Sequence, residues 1–158
     1  MKKLKERSMR HIEQNPYTAL WSILNNNNYR RFVNVPYGVL RCILQSEGLR
    51  VEEKDLWTYA FSWAQHECDR KDLPRNGHNI RLVLGDLFSL IKFPLISKAG
   101  FTNIEKCGIV TFDGSRSTGK MYSGVFTGQE LDEMHNYYAT GERPTFMSDF
   151  QFIPREYK

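Results

Sequence analysis

Residues 114–120 read GSRSTGK, which has the G-x-x-x-x-G-K skeleton of a phosphate-cradling loop. In such a loop backbone N–H groups wrap the phosphates, the lysine neutralises charge, and a following Ser or Thr hydroxyl holds magnesium. An apolar run at 108–112 precedes it, as a strand should. The residue after Lys120 is Met121, however, a poor magnesium ligand. The next residues, Tyr122-Ser123-Gly124-Val125, carry no helical period, so no helix N-terminus is set to face a phosphate. The loop also needs a parallel sheet around it, and little of the chain reads as strand. The match therefore reads as chance, and no cofactor is expected.

His66-Glu67-Cys68 offers a metal pair or an activated thiol. At about 100° per residue the two outer side chains of a helix point roughly 200° apart, and ligands must converge. Cys68 continues the stripe of Trp57, Ala60, Phe61 and Ala64 and is expected in the core; His66 is expected on the opposite, solvent-facing side. The other histidines, His11, His78 and His135, fall in separate segments without ligand spacing. Trp57, Phe61 and Trp63 have the types of a base-stacking platform, but two of the three fit the buried stripe, which favours core over platform. No catalytic residue and no metal ligand is assigned, and the chain does not read as an enzyme.

The elements that would position any site are mostly helical. Residues 4–15 form a helix pointed by Leu4, Met9 and Ile12 and stopped by Pro16. Residues 17–24 read as a second short helix, and Asn25 to Asn28 as a loop. Residues 36–45 carry proline in a first turn and apolar positions at Val39, Leu40, Ile43 and Leu44. From Val51 to Arg70 runs the strongest helix, with Glu52, Glu53 and Asp55 crowded where the dipole favours acids. After the turn LPRNG, residues 79–91 are apolar almost all round, which predicts a helix buried between others. Phe93-Pro94 stops it and Ser97 caps a further helix to about Lys106. Residues 113–126 read as a loop. Residues 128–140 read as an acidic helix with Leu131, Met134 and Tyr138 on one face. Residues 146–153 alternate weakly, like a strand or an extended tail. The pattern predicts an all-α fold of stacked antiparallel helix pairs with an extended or β C-terminal tail.

The 158 residues carry a net charge of +4, unevenly spread. Five bases (Lys2, Lys3, Lys5, Arg7, Arg10) sit in the first ten residues; from Thr127 onward six acids face three bases. A basic arm of this kind can touch nucleic acid, although a solvated helix face explains it as well. Three distant cysteines, Cys42, Cys68 and Cys107, spell neither a disulfide framework nor a zinc module, which points to a reducing, intracellular setting. No apolar run approaches the ~18 residues of a membrane span, so no membrane partner is expected and a cytoplasmic location is.

The order of these segments resembles the BACK domain of BTB/POZ proteins. LKERSMRHIEQN (residues 4–15) looks like its opening helix. FVNVPYGVLRCILQSEGLRVEEKDLWTYAFSWAQHEC (residues 32–68) is similar to its central pattern, with the link Leu49-Arg50-Val51 and Trp63 in place. RLVLGDLFSLIKFPLIS (residues 81–97) looks like its closing helix with the Phe93-Pro94 stop. WAQHECDRKDLP followed by Leu84-Gly85 is similar to the BTBD group, which carries a PHR β-sandwich after BACK; TGERPTFMSDFQFIPR looks like the lead into that sandwich. Residues 113–126 look like an insertion, and Gly100 stands where an acid is expected, which should loosen that short helix.

The resemblance implies a BACK-like domain over 1–110, a loop or insertion over 111–126, and a helix with an extended segment over 127–158. It implies a non-catalytic substrate adaptor of cullin-3 ubiquitin ligases, with cullin-3 and a ubiquitination substrate as protein partners. In such proteins the BTB domain makes most of the cullin contact, the first BACK helices add to it, and the domain after BACK recruits substrate. Ile12, Tyr17 and Trp21 are the residues that the resemblance offers for the minor cullin surface. These 158 residues hold neither a BTB nor a complete PHR domain, so cullin binding by this chain alone is expected to be weak. Two alternatives stay open: an interaction module unrelated to ubiquitin transfer, and a weak nucleic-acid binder through the basic arm.

Overall fold

The computed structural model describes residues 2–15, 35–106 and 125–155. Among them lie α1 (Lys2–Gln14), α2 (Tyr37–Gln45), α3 (Glu53–Arg70), α4 (Gly77–Leu84), α5 (Leu87–Leu90), α6 (Lys98–Lys106) and α7 (Gly128–Thr140). Single 3-10 turns occupy Phe93–Leu95 and Asp149–Phe152. No strand occurs among the described residues, and the fold is all-α. The helix expected over 17–24, the asparagine loop and the GSRSTGK stretch lie outside the described residues.

α3 is the axis of the core. Its stripe of Trp57, Ala60, Phe61, Ala64 and Cys68 is buried as the spacing predicts, and so are Leu56, Tyr59 and Trp63. A helix buried on more than one face needs neighbours on each. α4 supplies the main one, while α6 and the Phe93–Leu95 turn pack on other parts of α3. Trp57 sits at the centre of an aromatic cluster, with ring centroids 5.1 Å from Phe93, 5.5 Å from Phe61 and 6.2 Å from Phe126. Tilted and edge-on pairs at these distances add about 0.5–1.5 kcal/mol each beyond burial. Trp63 is buried too, and its Nε1 donates to the Val35 carbonyl at 2.8 Å. All three candidate platform aromatics are thus core residues.

The apolar stretch 79–91 is two helices, not one. Gly85 ends α4 at φ 49° and ψ −126°, a backbone that side chains with a Cβ rarely adopt. The chain then restarts as the single turn of α5. Leu82 of α4 points outward, 65% exposed, where a helix packed on all sides would have buried it. Asn76 caps α4 by accepting the Asn79 N–H, which is how the turn before it becomes a helix start.

Phe126, read from sequence as the last residue of a loop, is 2% exposed and packs 5.1 Å from both Phe88 and Phe93. Val125 beside it is buried as well. Arg81 of α4 fixes this junction. It lies over the Phe88 ring at 3.3 Å, donates to the Val125 carbonyl at 2.8 Å and pairs with Glu130 at 3.1 Å. Glu130 in turn closes a capping box with Thr127 at the start of α7. Met134 is buried, and Leu131 and Tyr138 pack half-buried against the core. The Tyr138 hydroxyl donates to the carbonyls of Phe93 and Ile96.

Gly100 sits at a close approach. It is the third residue of α6, and its N–H donates to the capping Ser97 Oγ at 3.1 Å. A Cβ there would lie 3.0 Å from Ile96 Cγ2 and 3.1 Å from Ser97 Oγ, closer than an ordinary van der Waals contact.

Candidate partner-binding face

α1 reaches the body of the protein through its C-terminal end. Ile12 is half-buried and packs against the core. The next residue, Glu13, accepts from Ser46 Oγ at 2.5 Å. The contact is close because Gly48 lacks a side chain: a Cβ there would sit 3.3 Å from Glu13 Cδ. The segment between α2 and α3 thus forms the seat for α1. Glu6, Arg7, Ser8, Arg10 and His11 stay exposed and give the helix a charged outer face. Tyr17 and Trp21, the other two residues proposed for a partner surface, lie outside the described residues. Of the three, Ile12 alone can be placed, and much of its side chain is spent on the core.

An open groove runs beside this seat. Arg10 and Glu13 of α1 line one wall, Glu47 and Arg50 the floor, and Phe150 and Ile153 the far wall. Both far-wall residues show apolar surface to solvent, Ile153 at 56% exposure. Beneath them Lys92 is completely buried. Its Nζ donates to Glu47 Oε2 at 2.9 Å and to the Ile153 carbonyl at 2.7 Å, and lies 4.3 Å from the Phe150 ring centre. Glu47 Oε1 is buried without a hydrogen-bond partner, an acceptor left open at this seat.

The tail that forms the far wall is not a strand. Residues 149–152 make a 3-10 turn with a capping box between Ser148 and Gln151, and extended residues flank it. Its alternation has a different cause. Gln151 and Arg155 point inward, whereas Phe150, Ile153 and Pro154 point out. Arg155 Nε donates to Glu53 Oε1 at 2.6 Å, Nη1 donates to the Leu44 and Ser46 carbonyls at 2.8 Å, and Nη2 donates to the Leu90 carbonyl at 3.3 Å. Gln151 Nε2 donates to the Ile91 carbonyl at 2.8 Å. These carbonyls close α2 and α5, and the last carbonyls of a helix have no partner within it. Glu53 lies in the first turn of α3 as expected, where the dipole favours an acid. It is buried, and its second oxygen accepts the Lys92 N–H at 3.1 Å.

The His66–Cys68 region departs from expectation at one residue. Cys68 is fully buried, and burial pushes its thiol above the ordinary range. His66 is not solvent-facing: its side chain is 19% exposed. The turn after α3 brings Arg75 back onto Asp69, which covers this side of the helix. Loss of hydration, aided by the Arg75 charge, holds the His66 imidazole below its ordinary range. Among the described residues no three His, Cys, Asp or Glu side chains converge as metal ligands would. No described helix is long and apolar enough to cross a membrane.

Sequence reasoning missed Arg155, Lys92 and Glu47. Nothing local marks them: Lys92 and Glu47 pair across 45 positions and Arg155 reaches Glu53 across 102. The Thr127–Glu130 capping box was within reach of a sequence reading, since its spacing is the signal.

Comparison with known proteins places the chain near one group. It is 28% identical over 127 residues to BTB/POZ domain-containing protein 3 of Homo sapiens, covering 80% of this chain and 21% of that protein. The Mus musculus protein of the same name matches over the same 127 residues at 28%. BTB/POZ domain-containing protein 6-B of Danio rerio is 26% identical over 113 residues, 72% of this chain and 20% of that protein. The chain spans about a fifth of the length of the curated relatives it matches. No family model and no solved structure matches it.

Proposed function

We propose that the chain is a non-catalytic, BACK-type helical module of a cullin-3 ubiquitin-ligase adaptor, and that α1 contributes the cullin-facing surface. One observation carries the reading. α1 is seated on the α2–α3 link by Ile12, Glu13 and Gly48, so that the helix is held while its face of Arg7, Arg10 and His11 is offered outward. Similarity to BTB/POZ domain-containing proteins over most of the chain supports the assignment to an interaction protein. The BACK identity, the cullin partner, a cytoplasmic setting and the separation of 127–158 as a lead into a further domain belong to the same proposal.

The test is calorimetric titration of the chain into the cullin-3 amino-terminal domain. Arg7→Glu combined with Arg10→Glu alters the exposed face without touching the seat. Weak binding that the double variant abolishes, with unchanged helical circular dichroism, is the expected result. Binding that the variant leaves intact removes α1 from the contact, and no binding by either chain removes cullin-3.

A further inference from the structure

The segment 148–155 is attached in an unusual sense. Two of its polar residues, Gln151 and Arg155, are inside, while Phe150 and Ile153 show apolar surface outside and Ser148 and Asp149 are exposed. Gln151 is 3% and Arg155 5% exposed, whereas Phe150 is 36% and Ile153 56% exposed. Its apolar contacts are partial: Phe152 rests half-buried on Tyr137 at 5.6 Å, and the Phe150 ring covers Lys92 Nζ at 4.3 Å, so the fully buried attachments are those of Gln151 and Arg155. The segment also lies between two open grooves. One is the groove beside α1; the other runs along Glu52, Lys54, Leu95 and Asn103, and Pro154 lines both.

The seat of Arg155 is a complete receptor for one chemical group. Glu53 supplies a carboxylate oxygen in line with Nε, and the Leu44, Ser46 and Leu90 carbonyls accept from the two terminal nitrogens. The acceptors surround a planar fork of donors, which a guanidinium matches and an ammonium, as a point charge, does not. The acceptors belong to α3 and to the C-terminal ends of α2 and α5, outside the segment itself.

We infer that residues 148–155 form a detachable latch, a self-ligand whose Arg155 occupies a guanidinium-specific socket, and that release of the latch joins the two grooves into one trough. Opening of this kind is sub-global: the latch leaves while the α3 core stays folded. The inference is independent of which partner binds α1.

Hydrogen exchange of the full chain tests it. In the wild-type protein the amides of Gln151 and Ile153, and the Lys92 amide that Glu53 accepts, should exchange about tenfold or more faster than those of Ala60 to Ala64. In Arg155→Ala the latch amides should exchange like an unstructured peptide while the centre of α3 stays protected. Millimolar ethylguanidinium should restore part of the Lys92 amide protection, and ethylammonium should not. The inference is overturned if Arg155→Ala leaves latch exchange unchanged, or if ethylguanidinium restores no more than ethylammonium. Should that variant fail to fold, the wild-type rates decide: latch amides as slow as those of α3 would show that no separate opening exists.

Discussion

Arg155 Nε lies 2.6 Å from Glu53 Oε1 across 102 residues of sequence, and neither side chain is more than 7% exposed. The pair joins the C-terminal segment to the first turn of the central helix. Each charge is tolerable in the interior because the other is there and because carbonyls and an N–H complete its shell.

This predicts coupling. Arg155→Ala and Glu53→Ala should each lower the unfolding free energy by about 1.5–3 kcal/mol, the range for hydrogen bonds to charged groups. The loss is bounded, since a freed latch lets water reach the remaining partner. The double variant should lose less than the sum of the singles. Denaturant titration of the four chains measures this, and strict additivity would show that the two residues do not act together.

The junction at Phe126 should be far more sensitive than its loop-like sequence implies. Phe126→Ala removes a ring that touches Trp57, Phe88, Phe93 and Phe101 and should cost about 3–5 kcal/mol. Leu82→Ala, at an exposed position, should stay within about 0.5 kcal/mol. Equal losses in thermal or denaturant unfolding would contradict the assignment of Phe126 to the core.

These two residues also show what the sequence could and could not convey. The Trp57–Cys68 stripe was legible because its spacing repeats within one helix. Phe126 follows a Gly- and Ser-rich stretch, so local composition hides a residue held by rings of four distant segments. The break at Gly85-Asp86 was masked by the apolar runs before and after that pair. Arg155 had no local signal at all, because the groups it satisfies are helix-end carbonyls brought together only by the fold. For the candidate partner face, the α1 helix was legible but its seat was not, since Glu13, Ser46 and Gly48 meet through tertiary packing.

At Gly100 the sign of a routine substitution should reverse. Replacing glycine by alanine within a helix usually stabilises by about 0.5–1 kcal/mol. Here the added Cβ meets buried Ile96 and the capping hydroxyl of Ser97. Gly100→Ala should destabilise by about 1 kcal/mol, as overpacking does. A raised melting temperature would refute the close-approach argument.

Acid should weaken the protein in two steps at the end of α3. His66 is held below its ordinary 6.5 first by burial and then by Arg75, so the unfolded chain binds this proton more readily. Stability should decline as pH falls below 6.5 and level off beneath the folded value. His66→Gln should remove this step. Asp69 is held below its ordinary 3.8, first by its hydrogen bond from Arg75. Its contribution is present above 3.8 and is lost as pH falls through the lower folded value, a step that Asp69→Asn should abolish. Urea titrations across the pH range read both. A first step that persists in His66→Gln would assign it to another group.

The most direct test of the proposed role is a hydrogen-exchange footprint of the chain with and without the cullin-3 amino-terminal domain. The account predicts slowed exchange within residues 2–15 and unchanged exchange in α7. Protection confined to α7 or to residues 148–155, with α1 unaffected, would contradict it.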